Sequence, residues 1–164
     1  MSTQDTPRLL TLLVDAGVRF VVIGGVAAIA HGGSTFTRDL DVLIAFDEGT
    51  VARLLSALKD HDPRAALDPT RRPIPSDPKA LVGFRNLYVS TSLGRLDLLG
   101  ETPVGDYAQL AERSVSMVLA GVPVQVIALD DLIGIKRALG RPKDLLVATE
   151  LEAIRERVGA ESDA

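Results

Sequence analysis

Asp39 and Asp41 stand one residue apart in the run Thr37-Arg38-Asp39-Leu40-Asp41-Val42-Leu43-Ile44, where a strand would ordinarily carry apolar side chains. Carboxylates at i and i+2 of a strand project from the same face, about 7 Å apart. A third acid, Asp97, lies in a later apolar segment, Gly94-Arg95-Leu96-Asp97-Leu98-Leu99. Three hard oxygen donors on one site could bind divalent cations, which activate a hydroxyl and neutralise a leaving pyrophosphate. Upstream, Arg19-Phe20-Val21-Val22-Ile23 ends at Gly24-Gly25, before an alanine-rich stretch. A strand ending in two glycines ahead of a helix lets backbone amides approach an anion unobstructed, and the helix amino terminus adds a favourable field. Each signal is weak by itself, since glycine pairs also mark plain turns and paired acids also solvate strand ends. Their combination with Asp97 on a second apolar strand is far more specific.

The elements that must position these residues follow from periodicity. Leu9, Leu12, Leu13 and Ala16 recur at helical spacing, with Pro7 in the first turn and Gly17 as the stop. Residues 19–23 read as a buried strand, Val26 to His31 as a short helix, and about 38–46 as the acidic strand. Val51, Leu54, Leu55 and Leu58 mark an amphipathic helix ending near His61. Asn86–Ser92 and Arg95–Leu99 flank Leu93-Gly94 as a hairpin, and Val115–Leu119 and Val122–Ile127 flank Ala120-Gly121 as another. Asp106 to Arg113 reads as a short helix between them. A helix from Leu129 to Leu139 stops at Gly140, and the last follows Arg141-Pro142 with Val147, Leu151, Ile154 and Val158 on one face. The fold class is α+β, a mixed β-sheet with helices packed on it, in one domain over residues 1–164. Within it, the segment at about 62–80 holds five of the nine prolines and four basic residues. It reads as a loop, either a flexible surface excursion or a basic flap over a polyanionic substrate.

Composition bounds the chemistry. With 46% hydrophobic residues and a mean hydropathy of +0.21, 164 residues can bury a core without staples. No cysteine is present, which excludes disulfides and thiolate ligands, and two histidines are too few for an imidazole metal site. No apolar run is long enough to cross a bilayer, and Met1-Ser2-Thr3-Gln4-Asp5 lacks a signal-peptide pattern, so the expected location is cytoplasmic. The net charge of −4 argues against a surface dominated by nucleic acid, although Arg64-Arg71-Arg72-Lys79 and Lys136-Arg137-Arg141-Lys143 could form local basic patches.

At Gly24-Gly25, Asp39-Leu40-Asp41 and Asp97 the chain resembles the polymerase-β-type nucleotidyltransferase superfamily. The run Gly24-Gly25-Val26-Ala27 … His31-Gly32 … Thr37-Arg38-Asp39-Leu40-Asp41 is closest to small bacterial nucleotidyltransferases, including the toxins of abortive-infection toxin–antitoxin systems. The later Leu132-Ile133-Gly134-Ile135-Lys136-Arg137 … Gly140-Arg141-Pro142-Lys143-Asp144 resembles the same group. The likeness spans roughly residues 19–46 and 95–147 and leaves the proline-rich segment unmatched.

The resemblance implies a nucleotidyltransferase fold and a magnesium- or manganese-dependent enzyme. It would transfer a nucleoside monophosphate from a nucleoside triphosphate to a hydroxyl acceptor and release pyrophosphate. Under it, Asp39, Asp41 and Asp97 are the catalytic metal ligands, and Gly24, Gly25, Thr37, Arg38, Lys136, Arg141 and Lys143 bind the nucleotide, with Asp144 as an orienting partner. The acceptor could be RNA such as tRNA, a protein or a small molecule, and a cognate antitoxin would be a partner. The group commonly carries an arginine two residues before Thr37, where this chain has Thr35. Either Arg38 or a basic residue of the proline-rich segment substitutes, or nucleotide affinity is reduced.

Two other readings remain open: a catalytically idle nucleotide-binding or partner-binding module that keeps the fold, and a hydrolase using the same acids. The bland assignments are His31 as a helix cap, His61 as a surface residue and Asp130 and Asp131 as acids at a helix start. Tyr88 and Tyr107 carry no specific signal.

Overall fold

The computed structural model describes residues 3–162, so Met1 and Ser2 of the amino-terminal reading lie outside it, as do residues 163–164. In chain order the elements are α1 (Thr6–Asp15), β1 (Val21–Ile23), α2 (Gly24–Ala30), β2 (Asp39–Leu43), α3 (Glu48–Leu58), β3 (Arg64–Ala65), β4 (Asn86–Thr91) and β5 (Gly94–Leu99). They continue with β6 (Glu101–Thr102), β7 (Gly105–Asp106), α4 (Tyr107–Arg113), β8 (Val115–Leu119), β9 (Val122–Val126), α5 (Leu129–Leu139) and α6 (Pro142–Ser162). Seven strands form one sheet in the order β3-β4-β5-β2-β1-β9-β8, and β6 and β7 pair separately. β2 runs parallel to β5 and β1 parallel to β9, while the other neighbours are antiparallel. The fold is therefore α+β with a mixed sheet and helices packed on it.

Local chemistry sets the helix ends. Asp5 and Asp47 accept from the backbone N–H groups of Arg8 and Thr50, capping α1 and α3, and Asp106 and Gln109 form a reciprocal capping box on α4. Gly140 closes α5 in the left-handed conformation and frees the chain to begin α6 two residues later. Leu9, Leu10 and Leu13 of α1 and Val51, Leu54 and Leu58 of α3 are buried in one apolar cluster that also takes in β1, β2, β5 and β9.

β2 shows why acids can occupy the middle of a sheet. Leu40 and Val42 are fully buried on one face, while Asp39 and Asp41 alternate onto the other. The apolar half anchors the strand in the core, so the acidic half can face a cleft.

Several boundaries differ from expectation. β2 is shorter than 38–46, and β1 is only three residues long. α2 begins at the glycine pair itself rather than at Val26, because the chain turns directly out of β1. Val158 lies 52% exposed and does not join Leu151 and Ile154 in the core. The proline-rich segment is mostly irregular and exposed, but it supplies edge strand β3, a 3-10 turn at Pro78–Ala80 and one buried residue, Ile74. Ala65 N–H donates to the Arg72 carbonyl and Ile74 N–H to the Pro63 carbonyl, folding the segment back on itself. Pro63, Ile74, Pro75 and Pro78 form a hollow with Ala52, Leu55 and Lys59 of the α3 region, so this segment is not a flap over the acids.

Candidate active site

The register places the acids. Asp41 of β2 stands directly beside Asp97 of β5, and Asp39 beside Arg95, so these four side chains share a sheet face. Tyr88 of β4 continues the first row beyond Asp97, and Ile23 of β1 continues it beyond Asp41. A cleft of about 460 Å³ opens over this face. Its walls include Gly24, Asp39, Asp41, Tyr88, Asp97 and Glu101 on the sheet side, and Lys136, Arg141 and Lys143 from α5, the turn and α6. Residues separated by more than a hundred positions therefore meet in one acidic and basic cleft.

The glycine pair has a steric reason. Gly24 has φ +67°, and a Cβ there would overlap the Asp41 carboxyl; a Cβ on Gly25 would lie 2.6 Å from the Thr37 Cβ. Ile23 provides no side-chain cap, which leaves the opening amides of α2 to other partners. Thr37 packs against Gly25, and its hydroxyl donates to the Asp39 carbonyl at 3.1 Å, fixing the start of β2. It supports the cleft without lining it. Arg38 also lies outside: it stacks over the exposed Phe36 ring at 5.7 Å and lines a neighbouring hollow.

Electrostatics at the acids are unbalanced. Burial, followed by the nearby Asp97 and Asp39 charges, pushes the Asp41 carboxyl up to about 7, with Lys136 working against the rise. Burial also raises Asp97, opposed by Arg95, whose Nε donates to Asp97 Oδ1 at 2.8 Å. The Arg95 guanidinium in turn lies over the Tyr88 ring at 5.7 Å, and Gln4 accepts from its backbone N–H at 2.8 Å. On the basic side, buried Asp144 joins Arg141 (2.6 Å) and Lys136 (3.7 Å), and the Arg141 hydrogen bond holds its carboxyl below the usual range.

A divalent cation suits this donor set only in part. Among the described residues no three acidic or histidine side chains are gathered closely enough to hold a metal ion as they stand. The three carboxylates nevertheless offer only hard oxygen atoms, and bound positive charge would offset the burial and acidic neighbours that lift Asp41.

Other expectations resolve away from the cleft. His31 is the C-cap residue of α2, but its ring Nε2 lies 2.7 Å from the Ile127 carbonyl rather than on its own helix end. His61 is half-buried and pairs weakly with Ser92. Asp130 and Asp131 do open α5, and they also pair with Arg155 and Arg113. The basic clusters are partly neutralised: Arg64 by Asp62, Arg72 by Asp68 and Arg137 by Glu152. Sequence reasoning missed Arg95, Tyr88 and Glu101. Arg95 carried a readable signal, standing two residues before Asp97 on the same strand face; Tyr88 reaches the cleft through sheet register, and Glu101 follows β5 with only Gly100 between.

This architecture is that of known nucleotidyltransferases. The lincosamide antibiotic adenylyltransferase LnuA, in its lincomycin-bound form, superposes with a TM-score of 0.61 over 93% of this chain and 99% of its own, at 13% identity. The antibiotic-resistance factor ANT(2'')-Ia gives 0.56 over 96% and 90%, at 12% identity. Its complex with adenylyl-2''-tobramycin gives 0.54 over 95% of each chain, also at 12%. By sequence, no family model and no curated protein matches the chain. Likeness at this identity establishes a shared fold. No described helix is long and apolar enough to cross a membrane.

Proposed function

We propose that the protein is a metal-dependent nucleotidyltransferase that moves a nucleoside monophosphate from a nucleoside triphosphate to a hydroxyl acceptor. The observation that carries this reading is the meeting of Asp39, Asp41 and Asp97 with Gly24, Lys136, Arg141 and Lys143 in one cleft. The adenylyltransferase fold supports it.

Asp39, Asp41 and Asp97 would hold magnesium or manganese, which supplies positive charge to the phosphates and to the forming alkoxide. Gly24, in the cleft wall, and Gly25 behind it would present the opening amides of α2, which no side chain caps, to the phosphates. Lys136, oriented by Asp144, and the neighbouring Arg141 and Lys143 take the charge of the β- and γ-phosphates. The acceptor oxygen attacks the α-phosphorus in line as the bond to the β-phosphate oxygen breaks. The hydroxyl proton passes to the carboxylate cluster, and pyrophosphate leaves on the basic side. RNA such as tRNA, in a toxin–antitoxin setting, is the acceptor context that the sequence resemblance supplies, and a cytoplasmic location is the one that the composition suggests.

A second reading, an idle nucleotide-binding module, draws on two features. Arg95 already neutralises Asp97, and Thr35 stands where the resembling group carries arginine. One experiment separates them: each labelled nucleoside triphosphate with magnesium or manganese, total RNA or a cell lysate, and either wild type or Asp41→Ala. Label transfer by wild type alone supports the enzyme. Metal-dependent triphosphate binding with no transfer to any acceptor supports the module, and absence of such binding refutes both.

A further inference from the structure

Arg38 and Arg95 line a hollow of about 380 Å³ together with Gln4, Ser90 and Gly94, immediately beside the acidic face. It is distinct from the cleft that gathers the basic residues of α5 and α6. Arg38 is exposed and has no carboxylate partner among the described residues. Arg95 joins the two spaces, since it borders the hollow while its Nε holds Asp97. The sheet register extends this row outward, with Arg95 beside Ser90 and Ser90 beside Arg64. Gln4 grips the Arg95 backbone from both sides, donating to its carbonyl at 3.0 Å and accepting from its N–H at 2.8 Å. Two arginines, one of them held by Asp97 and Gln4, thus line a hollow that lies one residue pair, about 7 Å, along the strand from Asp97. Phe36, 80% exposed and stacked under Arg38, offers an apolar plate beside that arginine.

We infer that this hollow is the acceptor subsite and that it selects a phosphate-bearing acceptor, its phosphate on Arg38 and Arg95 and its hydroxyl beside Asp97. Planar guanidinium groups match phosphate oxygens in pairs, whereas a cationic acceptor would meet like charge here. The inference rests on the transferase reading, but its test does not require turnover. A phosphate of this kind is presented either by a small sugar phosphate or by an oligonucleotide; for the latter, Phe36 can stack against a base.

The test is equilibrium binding of ribose 5-phosphate and of a fluorescently labelled oligoribonucleotide, with tobramycin as the cationic control and triphosphate binding measured in parallel. Wild type should bind at least one anionic probe more tightly than tobramycin. Arg38→Glu should weaken that probe at least tenfold while changing triphosphate affinity far less, and Arg38→Lys should recover most of the loss. If Phe36→Ala also weakens the oligonucleotide, a strand end is the source; if ribose 5-phosphate alone binds, a small metabolite is. Equal binding of tobramycin, indifference to Arg38→Glu, or an equal loss of triphosphate would overturn the assignment. Anionic probe binding at Arg38 without any triphosphate binding would support the phosphate subsite while removing the transfer reading.

Discussion

Asp41→Asn should make the metal-free protein more stable while abolishing metal-dependent nucleotide binding. An aspartate that titrates at 3.8 when unfolded is held in this fold at about 7 by burial and by its acidic neighbours. Between those two values the folded chain keeps a proton that the unfolded chain has released, so stability falls as pH rises. The penalty is absent below 3.8 and complete above about 7, with a ceiling of ~4 kcal/mol. An asparagine amide in the same place carries no charge but still costs about 1–3 kcal/mol of desolvation. The net gain at pH 8 is then roughly 1–3 kcal/mol, or a melting temperature higher by roughly 3–10 °C for a chain of this size. At pH 4.5 the gain should vanish or reverse. Thermal melts in chelator at the two pH values measure the difference, and a repeat with magnesium and triphosphate should stabilise wild type alone. A variant that melts lower than wild type at pH 8, or shifts by the same amount at both pH values, would refute the electrostatic argument.

Other expectations follow from the same geometry. Magnesium should bind wild type more tightly as pH rises from 6 to 8, because the proton on Asp41 competes for the same oxygens; titration calorimetry would show a flat profile if that carboxyl were already ionised at pH 6. Lys136→Met should weaken triphosphate binding by about ten- to a hundredfold, the worth of a charge-assisted hydrogen bond, as read by equilibrium dialysis; unchanged affinity would place the phosphates elsewhere. Gly24→Ala should cost about 1–3 kcal/mol in urea unfolding, since the residue is left-handed and its Cβ would displace the Asp41 carboxyl; a neutral substitution would contradict that close approach. Asp144 behaves oppositely to Asp41: its folded carboxyl is held below 3.8, so its contribution is present above that value and lost only as pH falls further. Acid titration of Asp144→Asn should therefore match wild type in slope at pH 5–7 and differ only in stronger acid.

Much of the fold was legible because its helices carry their own punctuation. Leu9, Leu12 and Leu13 recur at helical spacing behind Pro7, and α5 ends on a glycine whose left-handed conformation is local chemistry. The hairpin β4–β5 was readable from Leu93-Gly94 for the same reason. The proline-rich segment read as a loop because proline removes donors and breaks period, and most of it is irregular. What orders it is non-local: β3 needs the edge of β4, and Ile74 needs the α3 region.

The site divides along the same line. Asp39 and Asp41 announced themselves by occupying alternate positions in an apolar strand, and the structure accounts for them with a cleft. The identity of their neighbours required the register, which no local pattern encodes. A shift of one residue between β2 and β5 would turn Asp97 into the core and bring Leu96 or Leu98 beside Asp41. Arg38 illustrates the converse. It precedes Asp39 directly, so adjacency in sequence placed it with the nucleotide. β2 begins only at Asp39, however, so strand alternation does not set the direction of Arg38, which stacks on Phe36 and lines the neighbouring hollow with Arg95. Arg95, two residues from Asp97, shares the acid's face because the period is two. The residue nearer in sequence to an acid therefore left the cleft, and the one spaced by the strand repeat stayed at its edge. That spacing is why the acidic centre and the arginine hollow lie side by side, and why charge at Arg38 and charge at Asp41 can be varied independently.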